Sequence, residues 1–131
     1  MESVRLPNAY LDLLDAPLTA LLATVMQTGA PQVSPVWFLR DGDDILVSSV
    51  GGRLRERHVR ANPHVALTVL DPQNPMRYVE VRGTMTVNAD PQAATRDAVC
   101  RKHGYPDGSA FDQPDTPRVT LRLTPTFVVE H

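Results

Sequence analysis

The chain has 131 residues, enough for one domain that buries roughly two-thirds of its unfolded surface. Hydrophobic residues make up 42% of it, and 13 basic against 15 acidic side chains leave a formal charge of −2. That balance excludes a polar disordered chain and a general nucleic-acid binder, whose affinity needs many cations.

A single cysteine, Cys100, excludes an intrachain disulfide; with no CxxC or HExxH pattern, no metal site is expected. The apolar stretch Ala16–Met26 is too short to span a bilayer, and Asp12 and Asp15 precede it where a signal peptide would carry positive charge. A cytoplasmic, membrane-free protein is the expectation.

Apolar residues at Leu6, Ala9, Tyr10, Leu13 and Leu14 predict a first helix over Leu6–Asp15, ended by Pro17. Thr19–Gln27 reads as a buried strand and Gly29-Ala30-Pro31 as a turn. Gln32–Arg40 is the returning strand, and Asp41-Gly42-Asp43-Asp44 a hairpin leading into Ile45–Val50. These three strands are expected to form an antiparallel meander. Gly51-Gly52 ends it, and Arg53–Ala61 is a short helix stopped by Asn62-Pro63.

Strands His64–Leu70 and Tyr78–Asn88 follow, with Gly83 marking a bulge where the second bends. Asp90 caps a helix that has Pro91 in its first position and runs to about His103. Gly104–Pro117 is a loop, Arg118–Leu123 the last strand, and PTFVVEH a short apolar tail. Six strands and three short helices predict a mainly β fold, a small barrel of antiparallel strands with helices packed on it, formed by residues 1–131 as one domain. No GxGxxG follows the first strand, which argues against a Rossmann fold.

The stretch GGRLRERHVR, Gly51–Arg60, places four arginines within eight residues. On a helix Arg53, Arg57 and Arg60 share a face and Arg55 points away, an arrangement compatible with a merely solvated surface. Its position argues for more. A helix start after a strand and two glycines offers unpaired N–H groups and the positive end of the dipole. Ser48 and Ser49 add hydroxyls, and the arginine fork matches a phosphate. The reading is a site for a phosphate-bearing small molecule. His58 reads as a packing or capping residue, His64 and His103 lack partners for a metal or a base, Cys100 reads as a buried hydrophobe, and Trp37 as core or interface filler. No nucleophile stands with its base, so no catalytic residue is assigned.

The order GAPQVSPVWFL, DGDDILVSS, GGRLRERHVRANP, HVALTVLD, YVEVRGTMTV resembles the pyridoxamine 5′-phosphate oxidase-like split β-barrel superfamily, and within it the flavin/deazaflavin oxidoreductase branch that uses coenzyme F420. The resemblance implies a homodimer with two cofactor sites at the subunit interface. It also implies a basic pair holding the cofactor phosphate, matched by Arg53 and Arg55 with Leu54 between them. Lysine is frequent at the second position in that branch. Gln32 matches a residue beside the cofactor ring, Pro35 and Val36 continue along that strand, and Ser48 and Ser49 match small hydroxyl positions before the phosphate loop. Met76, Arg77 and Tyr78 match a segment that comes from the partner subunit.

The implied function is an F420-dependent reductase passing a hydride to an electron-poor small molecule. The alternatives are an FMN-binding oxidoreductase of the same superfamily and a non-catalytic F420 carrier. A nucleic-acid-binding barrel would need a basic face interleaved with aromatics, which this chain lacks.

Overall fold

The computed structural model describes residues 2–131. Its strands are β1 (Ala20–Val25), β2 (Pro31–Val36), β3 (Leu39–Asp41), β4 (Asp44–Val50), β5 (His64–Asp71), β6 (Asn74–Ala89) and β7 (Arg118–Glu130). The helices are α1 (Leu11–Asp15), α2 (Leu54–Ala61) and α3 (Ala94–Lys102), with 3₁₀ turns at Asn8–Tyr10 and Ser109–Phe111. All pairings are antiparallel, in one seven-stranded sheet ordered β2-β1-β5-β6-β7-β4-β3.

That order forces the sheet to roll. β2 and β3 are its opposite edges, yet Val36 and Leu39 are joined through only Trp37 and Phe38. Seven flat strands would set those edges about 29 Å apart, whereas three Cα–Cα steps reach at most about 11 Å. The chain therefore closes a split barrel at this link, and Phe38, fully buried, plugs the seam. The inward rows Val65/Leu67/Val69, Val79/Val81 and Leu121/Leu123 fill the barrel with Leu14 and Leu22. Each row follows the two-residue period of a pleated strand.

Several expectations are corrected here. The expected strand Gln32–Arg40 is two strands, and the meander does not form, because β2 pairs only with β1 while the β3–β4 hairpin pairs with β7. The strand count is seven. The apolar tail belongs to β7, which runs on to Glu130 through Pro125. The first helix begins at Leu11, preceded by the 3₁₀ turn.

α3 begins at Ala94 rather than beside Asp90, so Pro91 is not its first residue. Asp90 nevertheless caps it from four residues upstream, accepting the N–H groups of Ala94 (2.8 Å) and Thr95 (3.0 Å). The Gly42 turn is as expected: its φ of 62° suits a two-residue hairpin loop with glycine first.

Gly83 does mark a bulge, but the extra residue lies on the partner strand. Arg82 pairs with Phe127 and Gly83 with Pro125, which leaves Thr126 unpaired on β7. A Cβ at Gly83 would overlap the carbonyl oxygen of Thr124. Gly83→Ala is expected to destabilise the fold by about 2–3 kcal/mol, with Tm lowered by several degrees in a calorimetric scan.

Candidate phosphate-binding groove

The arginine cluster divides into two functional pairs. Glu56 Oε1 accepts the Gly52 N–H at 2.8 Å and Glu56 Oε2 holds Arg60 Nε at 2.6 Å. Together these contacts keep the Glu56 carboxyl below the ordinary glutamate range, the Gly52 bond contributing most. Arg57 Nε donates to the Gly52 carbonyl at 3.2 Å. Arg57 and Arg60 thus tie the helix to its own entry turn, where Gly52 adopts a φ of 82° that a side chain would strain.

Arg53 and Arg55 are not used in this way. Arg53 is the N-cap residue of α2, with extended backbone and no side-chain cap, so helical spacing does not place it with Arg57 and Arg60. The first N–H groups of α2 are consequently left without a side-chain partner. Arg55 turns inward. It donates one bond, to Ser34 Oγ at 3.2 Å, while its Nε is buried with no partner. Burial alone lowers its pKa from the ordinary arginine value. Ser48 Oγ, on β4, is likewise buried and unpartnered. A half-buried cation whose Nε has no partner, lining the same cavities as an unpaired hydroxyl, is costly unless an anion completes the set.

Two cavities meet at these groups, of about 320 Å³ and about 340 Å³, sharing Ser48, Arg55 and Arg118. The second is the more polar of the two and holds Gln32, Ser34, Ser49, Arg53 and Leu54. The first is mostly apolar and holds Pro35, Val36, Trp37 and Phe111. The structure thus brings together eight of the residues singled out in the sequence: Gln32, Pro35, Val36, Ser48, Ser49, Arg53, Leu54 and Arg55.

It does not bring Met76, Arg77 and Tyr78 to the same groove. At Leu70↔Tyr78 and Asp71↔Asn74 the β5–β6 register shifts, so Pro75, Met76 and Arg77 loop out of the ladder. Arg77 is bound to Asp12 and Asp71, and Tyr78 stacks on His131 at 4.9 Å.

The sequence reading missed Ser34, Arg118 and the aromatic end. Ser34 was within reach, since it lies two residues from Gln32 on the same strand and so on the same face. Arg118 could not be assigned, because only the β4–β7 pairing, Val50↔Arg118, carries it to the groove. Trp37 is not core filler: it lines the apolar cavity and stacks flat on His103, at 3.8 Å and 6°. Burial, and then the nearby Lys102 charge, lower the His103 pKa from the ordinary histidine value.

An ionic triad fixes the loop over the groove. Asp112 accepts from Arg118 at 2.6 and 2.8 Å and from Arg96 at 2.9 Å, with the Asp112 side chain only 3% exposed. Bonds to Arg118 and then Arg96 hold its carboxyl below the usual range against the opposing effect of burial. No group of His, Cys, Asp or Glu poised to hold a metal is found among the described residues. No helix among them is long and apolar enough to cross a membrane.

Comparison with known proteins accords with this geometry. The family description "Pyridoxamine 5′-phosphate oxidase" matches residues 6–130. The chain belongs to that family. A solved structure called an F420 reductase is 36% identical over 96% of this chain and 100% of its own, with a TM-score of 0.84. A conserved hypothetical protein of Mycobacterium tuberculosis (19% identity, 98% and 86% covered, TM-score 0.78) shares the fold. So does General Stress Protein 26 of Bacillus anthracis (16%, 90% and 87% covered, TM-score 0.67). No match is found among curated proteins. Family membership supports an oxidoreductase that works with a flavin-type cofactor.

Asp112→Asn removes the shared carboxylate, leaves Arg118 uncompensated and leaves Arg96 with Asp97 alone, so a loss of about 3 kcal/mol in unfolding free energy is expected. Because the folded-state pKa is lowered, the wild-type contribution is complete above the ordinary aspartate pKa and is lost as pH falls through the folded value. Denaturant titrations of the two proteins should therefore converge toward acidic pH.

Proposed function

We propose that this protein is an F420-dependent reductase that passes a hydride to an electron-poor small molecule. The observation carrying the proposal is the half-buried Arg55, its Nε unpaired beside the unpaired Ser48 Oγ, at the uncapped start of α2. These groups fit a phosphate monoanion or dianion: a cationic fork, a hydroxyl and open backbone N–H groups converge from α2 and β4. The printed name of the 36% identical structure favours F420 over FMN.

In this reading Arg55 and Arg53 would hold the phosphate, Ser48 and Ser49 would support it, and Gln32, Pro35 and Val36 would line the ring's part of the groove. When bound, the reduced deazaflavin supplies a hydride, and the acceptor takes up that hydride with a proton from water. The chain's contribution is to bind, orient and exclude water, consistent with the lack of a nucleophile–base pair. Gln32 would present its amide to the ring edge, and Val36 would keep the ring's flank dry.

The protein would act as a homodimer. Leu21, Val33, Leu70 and Phe127 are exposed apolar residues on the outward face of the sheet, with Phe127 54% accessible. A second copy of this chain would cover those side chains and receive the projecting Met76–Tyr78 segment at its own groove. Met76, 71% accessible on its own chain, suits that role.

Titration of the purified protein with F420 and with FMN, side by side, tests the reading. F420 is expected to bind tighter. Arg55→Ala should weaken it by about 10- to 100-fold, as for loss of charge-assisted bonds. Arg53→Ala, on an exposed side chain, should weaken it by only a few-fold. Tighter binding of FMN would reassign the cofactor, and F420 binding without reduction of any acceptor would indicate a carrier.

A further inference from the structure

α2 carries Arg55 into the groove, yet few polar contacts tie that helix to the sheet. Most of its polar side chains bond back to the helix or its entry turn: Glu56 to Gly52 and Arg60, and Arg57 to the Gly52 carbonyl. Among the described residues, two side-chain hydrogen bonds run from α2 to the strands. Arg55 donates to Ser34 on β2, and His58 Nδ1 lies 3.3 Å from Thr24 Oγ1 on β1. Arg55 and His58 are three residues apart and share the inward side of the helix. They differ in surroundings: His58 is 6% exposed and Thr24 4%, whereas Arg55 opens onto both cavities.

The two bonds do not serve alike once an anion is bound. A phosphate in the groove competes with Ser34 for Arg55, and a charged acceptor outweighs a neutral hydroxyl. The Thr24–His58 bond is then the side-chain tie left between α2 and the sheet. Val59 packs beneath the helix, but apolar contact is non-directional and constrains rotation about the helix axis weakly. A hydrogen bond is directional. Two apolar side chains of like shape would fill the same space without the cost of burying polar groups. Thr24 is also the direct partner of Gln32 across the β1–β2 ladder, so the bond references α2 to that strand position. Given the anion role proposed above for Arg55, on which this rests, we infer that Thr24 and His58 are positioning residues of the groove. Their buried bond sets the rotation of α2, and so the place of Arg55, while Arg55 itself turns from Ser34 to the bound anion.

Titration of the purified protein with inorganic phosphate, well below its unfolding temperature, tests the pair. Thr24→Val keeps the shape and loses the hydroxyl, and should weaken phosphate binding about fivefold, as for one neutral hydrogen bond. Thr24→Ser should restore the wild-type affinity to within about twofold. Ser34→Ala should not weaken binding, because Arg55 gives up that bond to the anion. Wild-type affinity in Thr24→Val, no recovery in Thr24→Ser, or a loss in Ser34→Ala equal to that in Thr24→Val would each overturn the inference. If Thr24→Val does not fold, His58→Leu against His58→Asn, whose amide can meet the Thr24 hydroxyl, decides by the same margins. A wild type that binds neither phosphate nor F420 would defeat the anion role of Arg55 alone. The tie is then read from hydrogen exchange: Thr24→Val should speed exchange of the Arg57–Ala61 amides about fivefold, and Thr24→Ser should not. Equal exchange in those two variants would overturn the tie as well.

Discussion

The structure turns on a cation that the protein does not neutralise. Several arginines are matched by carboxylates: Arg40 with Asp15, Arg77 with Asp12 and Asp71, Arg96 and Arg118 with Asp112, Arg122 with Asp41 and Asp44. Arg55 instead enters a half-buried position with a serine hydroxyl as its one protein partner. Desolvating a guanidinium in this way costs free energy that a well-matched anion would return. A site kept at such a cost, at the open end of a helix, is what an anion-binding protein requires.

The barrel makes that site possible. Ser34 and Ser48 lie on β2 and β4, which no ladder joins, and they approach the same groove because the β2–β3 link draws the two sheet edges together. The Gly52 turn then aims α2 across the gap. Phe38 at the seam and Gly83 opposite the β7 bulge are therefore structural requirements of the groove, although neither lines it. The ionic triad centred on Asp112 completes the enclosure by holding the 104–117 loop against α3 and β7.

Much of this was legible in the sequence, and the rest was hidden for identifiable reasons. The period-two strands β5 and β6, the Gly42 hairpin and the boundary of α2 followed from local pattern and turn chemistry. The importance of the arginine cluster followed from its place after a strand and a glycine pair. What local pattern could not supply was pairing at long range. The stretch QVSPVWFLR looks like one strand because nothing within it says that the chain changes edge at Trp37-Phe38. Arg118 is remote from the cluster in sequence and reaches it only through the β4–β7 ladder. Arg53 was misplaced on a helical wheel because it precedes the helix. The role of Trp37 depended on the ring of His103 and the fold of a loop rich in glycine and proline, which carries no period to read.

The account predicts one atomic arrangement above all. In a crystal structure of the protein with F420 bound, the cofactor phosphate should lie within hydrogen-bonding distance of Arg55 Nε and Ser48 Oγ, in front of the first turn of α2. A phosphate bound elsewhere, with Arg55 Nε still unpaired or turned to a protein acceptor, would contradict it.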